Sequence, residues 1–479
     1  MEFINRIEEI KHLKIILGDE KNPALINMYG RRRIGKTTLL KEAIKKIDGQ
    51  KVIYYVFNKG TPKTQIELLF KAIISQIPEL MHFINGTMDW NTFFEALYQY
   101  DGSYSLILDE FPYGVEADNS LPSIIQNCWD IYKESSKLKL LLCGSSIAFM
   151  EGLMNQKNPL YARFTHVFKI KEMNFSNTCQ FHKTIDNEIK FLLYMIFGGV
   201  PYYHKRITSN NNKINLLKEI FSRFSSFNRD VVLQLSSSAL NLSTYFSILY
   251  TISQNKITYS EIADTTKLRS NLNHYLKTLV EVDIIQKKTP FSPIKQLHPI
   301  YIFQDNFTQF WFKFFYPNET ELEIMDHERF VQKLILPKLN QYFGKKFEEL
   351  CRNYITELSL KQMLSEEVIN INSFEGTYYD KKTQQKTNYE LDIVGLSITK
   401  KLLVFGECKW TDSPVNQSEI EKFLDYTRLF EYDFPEVVKE YKEIKYFIFT
   451  KFRIEEELEK QFSMINFLDM EKMLESLLD

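Results

Sequence analysis

The sequence predicts a multidomain α/β protein, and three observations carry that prediction. Residues 24–29 form an apolar run that leads straight into Gly30-Arg31-Arg32-Arg33-Ile34-Gly35-Lys36-Thr37, which fits G-x-x-x-x-G-K-[ST] at every fixed position. Further short apolar runs at 52–57, 105–108 and 138–143 read as buried strands and alternate with helical periodicities, as an α/β core requires. Far downstream, the apolar stretches 389–396 and 402–410 flank a short turn.

At 479 residues the chain has room for about three domains, and a 44% hydrophobic fraction is ample for their cores. A net charge of -1 announces neither nucleic acid nor membrane, so any such surface is local. The five cysteines (Cys128, Cys143, Cys179, Cys351, Cys408) are scattered and form no C-x-x-C pair, which argues for a reducing compartment and against a zinc or disulfide framework. The longest apolar run, Phe191 to Tyr203, is too short to span a bilayer and is broken by Gly198, Gly199 and Pro201. Met1 to Arg6 does not read as a signal peptide, so the expectation is a cytoplasmic protein with no membrane partner.

Ile4, Ile7, Ile10, Leu13 and Leu17 are spaced for one face of a helix over 4–17. Next come a buried strand at Ala24–Tyr29, the glycine loop, and a helix opened by Thr38-Leu39-Leu40. In such a loop the backbone N–H groups from Gly30 to Thr38 point at phosphate oxygens and the helix N-terminus adds partial positive charge. Lys36 then reaches the β/γ-phosphates, and the Thr37 hydroxyl ligates magnesium. Val52–Phe57 reads as a second buried strand and 64–77 as a helix. Ser105-Leu106-Ile107-Leu108-Asp109-Glu110 is a strand ending in two carboxylates. That is the expected other half of a triphosphate site, with Asp109 for the metal and Glu110 as general base. The strand Leu138–Cys143 ends in Gly144-Ser145-Ser146; Ser145 either senses the γ-phosphate or caps the next helix.

Taken in order, the three-arginine loop, Asp109-Glu110, Gly144-Ser145-Ser146, Pro159-Leu160-Tyr161-Ala162-Arg163 and Gly198-Gly199-Val200-Pro201-Tyr202 resemble the archaeal-type ATPases on the AAA+/STAND side of the P-loop NTPases, over residues 1–230. The opening Phe3-Ile4-Asn5-Arg6-Ile7-Glu8 is similar to that family's F-x-x-R-x-x-E segment near the adenine. The resemblance implies ATP and magnesium as cofactors. It makes Arg163 a γ-phosphate contact, in cis or from a neighbouring subunit of an oligomer, the alternative being a surface ion pair. The family usually has glycine where this chain has Ala162, so the turn there is expected to differ. The Gly-Gly-x-Pro segment looks like the turn that couples nucleotide state to a helical lid.

Residues 242–305 read as a winged helix: helices around Tyr245–Ile252, from Thr258 with Glu261 placed for a capping box, and over 270–280, then a wing from 284–288 and 298–303. Asn271, His274, Lys277 and Thr278 face outward, with Lys287, Lys288 and Lys295 for phosphates, so the module either enters a major groove of DNA or only packs. Phe307-Thr308-Gln309-Phe310-Trp311-Phe312-Lys313-Phe314-Phe315-Tyr316-Pro317 reads as a core that joins domains. It also resembles the opening of the C-terminal domain that accompanies this ATPase family.

In the tail, strand alternation puts Glu407 and Lys409 on one face and Cys408 on the other. Closing the hairpin at Ser397–Lys400 brings Asp392 opposite residues 405–407. Magnesium or manganese between Asp392 and Glu407, with Lys409 on the attacking water or the phosphate, is the chemistry such a trio suits; a salt-bridged hairpin is the alternative. D-x(14)-E-x-K is similar to the PD-(D/E)XK nuclease core, and Glu348 resembles that fold's supporting helical acid. Lysines 381, 382, 386, 400 and 401 flank the hairpin as phosphate contacts or as a solvated loop. Tyr446–Thr450 supplies a further strand before a closing helix.

The expected architecture is a P-loop ATPase core (1–170), a helical lid (171–241), a winged helix (242–305), an aromatic connector (306–343) and a restriction-endonuclease-like α/β domain (344–479). The expected function is an ATP-hydrolysing switch coupled to a metal-dependent nucleic-acid-binding or nuclease-like domain. Two rivals remain: a STAND-type regulator with an inert tail, and a DNA-translocating ATPase.

Overall fold

The computed structural model describes residues 3–47, 49–84, 89–208, 212–236, 242–291, 297–380 and 384–478. These fall into two compact units. The first is Met1–Glu172, with the short re-entrant segments Val200–Tyr202 and Glu281–Asp283; the remainder forms the second.

The first unit is built on a five-stranded parallel sheet: β1 Ala24–Tyr29, β2 Lys51–Val56, β3 Tyr104–Asp109, β4 Leu138–Gly144 and β5 His166–Lys169, in the order β2-β3-β4-β1-β5. All side chains of β1, β3 and β4 are buried, as continuous apolar strands covered on both faces must be. The reading of β2 as buried needs correction. It is the edge strand, and of its residues only Ile53 is fully covered. An apolar run reports burial on average but not position in the sheet. The first helix is also shorter than expected. It spans Ile7–Leu17, because Arg6 takes a left-handed conformation at its start, and it buries Ile10, Leu13 and Leu17 while Ile7 stays 70% exposed. The next helix, expected at 64–77, runs from Pro62 to Ile74 because the Thr61 hydroxyl accepts the N–H of Thr64 and fixes its start.

Ala162 stands where the resemblance leads one to expect glycine, and it holds the left-handed backbone itself, at φ 59°. The left-handed conformation puts strain on this Cβ-bearing residue. Ala162→Gly is expected to stabilise this unit by about 1 kcal/mol, read as a raised thermal midpoint.

In the second unit, helices Leu242–Ser253, Tyr259–Thr266 and Leu272–Glu281 are followed by the antiparallel pair β6 Ile285–Lys288 and β7 Ile300–Phe303. Thr258 and Glu261 form the expected capping box. Asn271, His274 and Lys277 are exposed and Thr278 is half-buried. Lys295 lies outside the described residues. Phe291, at the end of the β6 side, packs edge-on against Phe374 with ring centroids 6.5 Å apart, so this hairpin leans on the C-terminal sheet. The helix Asn306–Phe314 buries Phe307, Phe310, Trp311, Phe312 and Phe314. It packs against helices Asn187–Phe197 and Leu242–Ser253, all within the second unit.

The C-terminal sheet has the order β12-β11-β10-β9-β8, formed by β8 Val368–Asp380, β9 Gln385–Ser397, β10 Leu402–Lys409, β11 Glu443–Thr450 and β12 Ile465–Asp469. β9 runs antiparallel to both β8 and β10, while β10, β11 and β12 run parallel. β10 pairs with β9 only over Ile393–Leu396, so the part of the β8–β9 hairpin beyond Asp392 extends as a two-stranded arm. The helices Leu336–Leu360 and Gln417–Asp433 pack on this sheet.

Glu357, on the first of these helices, is buried, and burial pushes its carboxyl up to about 7; its Oε2 has no partner among the described residues. The unfolded chain ionises at the ordinary glutamate value, so folding stability is lost as pH rises from about 4.5 towards 7, by at most ~3 kcal/mol. Glu357→Gln is expected to match the wild-type thermal midpoint near pH 5 and to exceed it increasingly up to pH 8, measured by melts across that range.

Candidate functional site

The N-terminal site assembles at the carboxyl ends of β1, β3 and β4, where the crevice of an open α/β sheet lies. Gly30 has no room for a side chain, since a Cβ there would stand 2.4 Å from the Ile170 carbonyl oxygen. Gly35, at φ 93°, supplies the left-handed step into the helix Lys36–Ile44. Ile34 is buried beneath the loop. The Lys36 ammonium, buried under the loop, donates to the carbonyls of Gly30 at 2.7 Å and Arg31 at 3.1 Å. Burial lowers its pKa, against the pull of Glu110 and Asp109.

Asp109 is the hub of this site. Its Oδ2 accepts the Thr37 hydroxyl at 2.9 Å and also the Tyr54 phenol, and its Oδ1 accepts the backbone N–H of Glu110 at 2.9 Å. The Cys143 thiol lies against it as well; burial first, and then the Asp109 charge, raise that thiol well above its usual pKa. Glu110 sits at φ 53°, and its carboxylate accepts the Ser145 hydroxyl at 3.2 Å. Ser145 thus meets Glu110, while Ser146 takes the N-cap position of the next helix without a side-chain cap bond.

Two of the loop arginines have partners beside the loop. Arg31 pairs with Glu172 at 2.6 Å and Asp283 at 3.4 Å, and Arg33 stacks over the Tyr202 ring at 4.6 Å. Arg32 and Thr38 are exposed. Arg163 forms the surface ion pair, with its Nη2 2.9 Å from Asp130. A hydroxyl and a carboxylate in contact are hard oxygen donors suited to magnesium, and the glycine loop with its buried lysine suits a triphosphate, so the residues fit both groups.

The second site lies on the C-terminal sheet. A cavity of 1240 Å³ is lined by Glu348, Asp392, Glu407 and Lys409 among others, with carboxylates outnumbering lysines. Lys409 pairs with Glu407 at 2.6 Å, as same-face residues two apart on β10 should. Asp392 Oδ2 accepts the Cys408 N–H across the hairpin at 2.8 Å. Burial raises Asp392 and Glu407; Asp392 adds to the shift on Glu407, and Lys409 opposes both. Burial and then Asp392 push Glu348 up to about 7. Burial works against the Lys409 charge, but Glu407, Asp392 and Glu419 outweigh it and hold the ammonium above its ordinary value. Among the described residues no three His, Cys, Asp or Glu side chains are gathered closely enough to hold a metal as they stand.

Three neighbours escaped sequence reasoning. Arg352 donates to the Asp392 carbonyl at 2.7 Å and lies 3.9 Å from Glu348, a partner that its i,i+4 spacing could have signalled. Glu390, two residues before Asp392 on the same strand face, also raises Glu407 and Asp392. Tyr54 carries no signal at all in the linear sequence. Of the flanking lysines, Lys400 pairs with Glu440 and Lys401 with Glu366, Lys386 is exposed, and 381 and 382 lie outside the described residues.

No helix among the described residues is long and apolar enough to cross a membrane. Comparison with known proteins matches residues 3–207 to an ATPase domain found predominantly in Archaea. Residues 311–423 match a domain of archaeal and bacterial proteins of unknown function. Among solved structures, the Walker-type ATPase of Pyrococcus abyssi superposes with a TM-score of 0.47 at 17% identity, covering 65% of this chain and 96% of that one. The ORC2 protein of Aeropyrum pernix gives 0.42 at 14% identity, covering 67% and 96%. An uncharacterized protein of Methanocaldococcus jannaschii is 31% identical over 419 residues, 86% of this chain and 88% of its own length. The chain belongs to the family of that Methanocaldococcus protein and carries an archaeal-type ATPase domain in its N-terminal part.

Proposed function

We propose that this protein is an ATP-hydrolysing switch whose C-terminal domain is a metal-dependent, nuclease-type domain acting on nucleic acid. In the N-terminal site the loop N–H groups and Lys36 bind the phosphates, Thr37 and Asp109 hold magnesium, and Glu110 orients the attacking water, with Ser145 positioning Glu110. Magnesium supplies charge neutralisation on the β/γ-phosphates. Arg163 serves the γ-phosphate only after leaving Asp130, so its role belongs to a closed or assembled state.

The observation that carries the C-terminal reading is the convergence of Asp392, Glu407, Lys409 and Glu348 on one cavity. Buried carboxylates with raised pKa values beside a lysine are a costly arrangement that a hard cation relieves. Asp392 and Glu407 would hold it, Glu348 would support it, and the ion would supply Lewis acidity at a phosphate. An acidic cavity also repels a bare polyanion, which makes the divalent ion a condition for substrate entry. Lys409 then leaves Glu407 for the phosphate or the attacking water. The three helices with the β6–β7 hairpin form a winged helix. Because Phe291 seats its wing on Phe374, that wing packs rather than probes DNA, leaving the exposed face of helix Leu272–Glu281 as the nucleic-acid surface.

The test is cleavage of plasmid and of single-stranded DNA or RNA by the full chain, with magnesium or manganese against EDTA, with and without ATP. Metal-dependent products support the reading. Their absence over all substrates favours the second one, a nucleotide-switched regulator with an inert tail, for which the Lys409–Glu407 ion pair speaks.

A further inference from the structure

Asp109 presents two oxygens to the nucleotide site, and the protein itself occupies most of their hydrogen-bonding capacity. A carboxylate oxygen has about two in-plane lone pairs. On Oδ2 both are engaged, one by the Thr37 hydroxyl at 2.9 Å and one by the Tyr54 phenol. The phenol is also within hydrogen-bonding reach of Thr37, so its oxygen stands beside both side chains assigned to magnesium. The phenol is the donor in its bond to Asp109 Oδ2. The ring arrives from the edge strand β2 and lies half-buried, with the Lys41 ammonium 5.9 Å from its centroid.

We infer that Tyr54 is a positioning residue that competes with magnesium. Its phenol holds Asp109 Oδ2 and stands beside Thr37, and would compete there with a magnesium ion that these two side chains would hold. The phenol therefore sets the magnesium concentration at which the nucleotide site fills. This rests on the reading of the N-terminal site as a magnesium–ATP site.

The experiment measures ATP affinity by calorimetry on the full chain, in EDTA and across a magnesium series, for wild type and Tyr54→Phe. Manganese binding to the protein–ATP complex, followed by electron paramagnetic resonance, is the second readout. Phenylalanine keeps the ring, and a thermal melt checks that the fold is retained. The expected result is an affinity in EDTA within about twofold of wild type, and a magnesium requirement and manganese dissociation constant lowered about tenfold, as loss of one competing donor to a charged oxygen implies. An unchanged or raised metal requirement in the variant, with wild type showing metal-dependent affinity, overturns this inference alone. Wild type that binds ATP equally with and without metal removes the magnesium reading and this inference with it.

Discussion

Lys36→Ala is expected to lower ATP affinity and turnover by at least about a hundredfold, since it removes a charged donor from a triphosphate. The lysine is only 7% exposed, and its charge is satisfied by the Gly30 and Arg31 carbonyls of the loop that it would leave on meeting a phosphate. It is thus held ready at the site, with no side-chain carboxylate to abandon. The substitution leaves the two carbonyls with one donor fewer, so a modest loss of stability accompanies the loss of binding. Calorimetric titration with ATP and steady-state phosphate release check both quantities. Unaltered values for both would remove the ATP reading altogether.

The second large effect concerns the C-terminal cavity. If the proposed nuclease reading holds, Asp392→Asn is expected to reduce metal-dependent cleavage by about a thousandfold or more, because it would remove a ligand of the cation. Asparagine can still accept the Cys408 N–H, so the hairpin keeps its cross-strand bond. Lys409→Ala is expected to be as inactive but less stable, because Glu407 then loses its partner in a buried setting. The pair therefore separates chemistry from folding: gel assays of nicking read the first, and thermal melts read the second.

The sequence was most informative where chemistry imposes fixed spacing. Gly30 to Thr37 can be read directly, because a phosphate cradle tolerates little variation in its length. Asp392 and Glu407 could be brought together on paper because the turn at Ser397–Lys400 is short enough to fix the hairpin register. Burial was harder to judge. The apolar residues of β2 and Ile7 looked like core and lie at an edge and in solvent, since periodicity gives a face but not what covers it. Contacts set by strand order were invisible: Tyr54 and Cys143 meet Asp109 only because β2 and β4 flank β3. Arg163 shows a different limit, as its ion pair with Asp130 joins residues 33 positions apart that no local pattern connects.

The place of β4 in the first sheet has an engineering consequence. It runs between the strand that ends in the glycine loop and the strand that ends in Asp109, so whatever follows Gly144 stands about one strand spacing, roughly 4.8 Å, from each. Position 145 is therefore a natural dial. Exchanging its side chain for a longer, shorter or charged one changes what the Glu110 carboxylate meets, while the glycine loop and Lys36 belong to other elements.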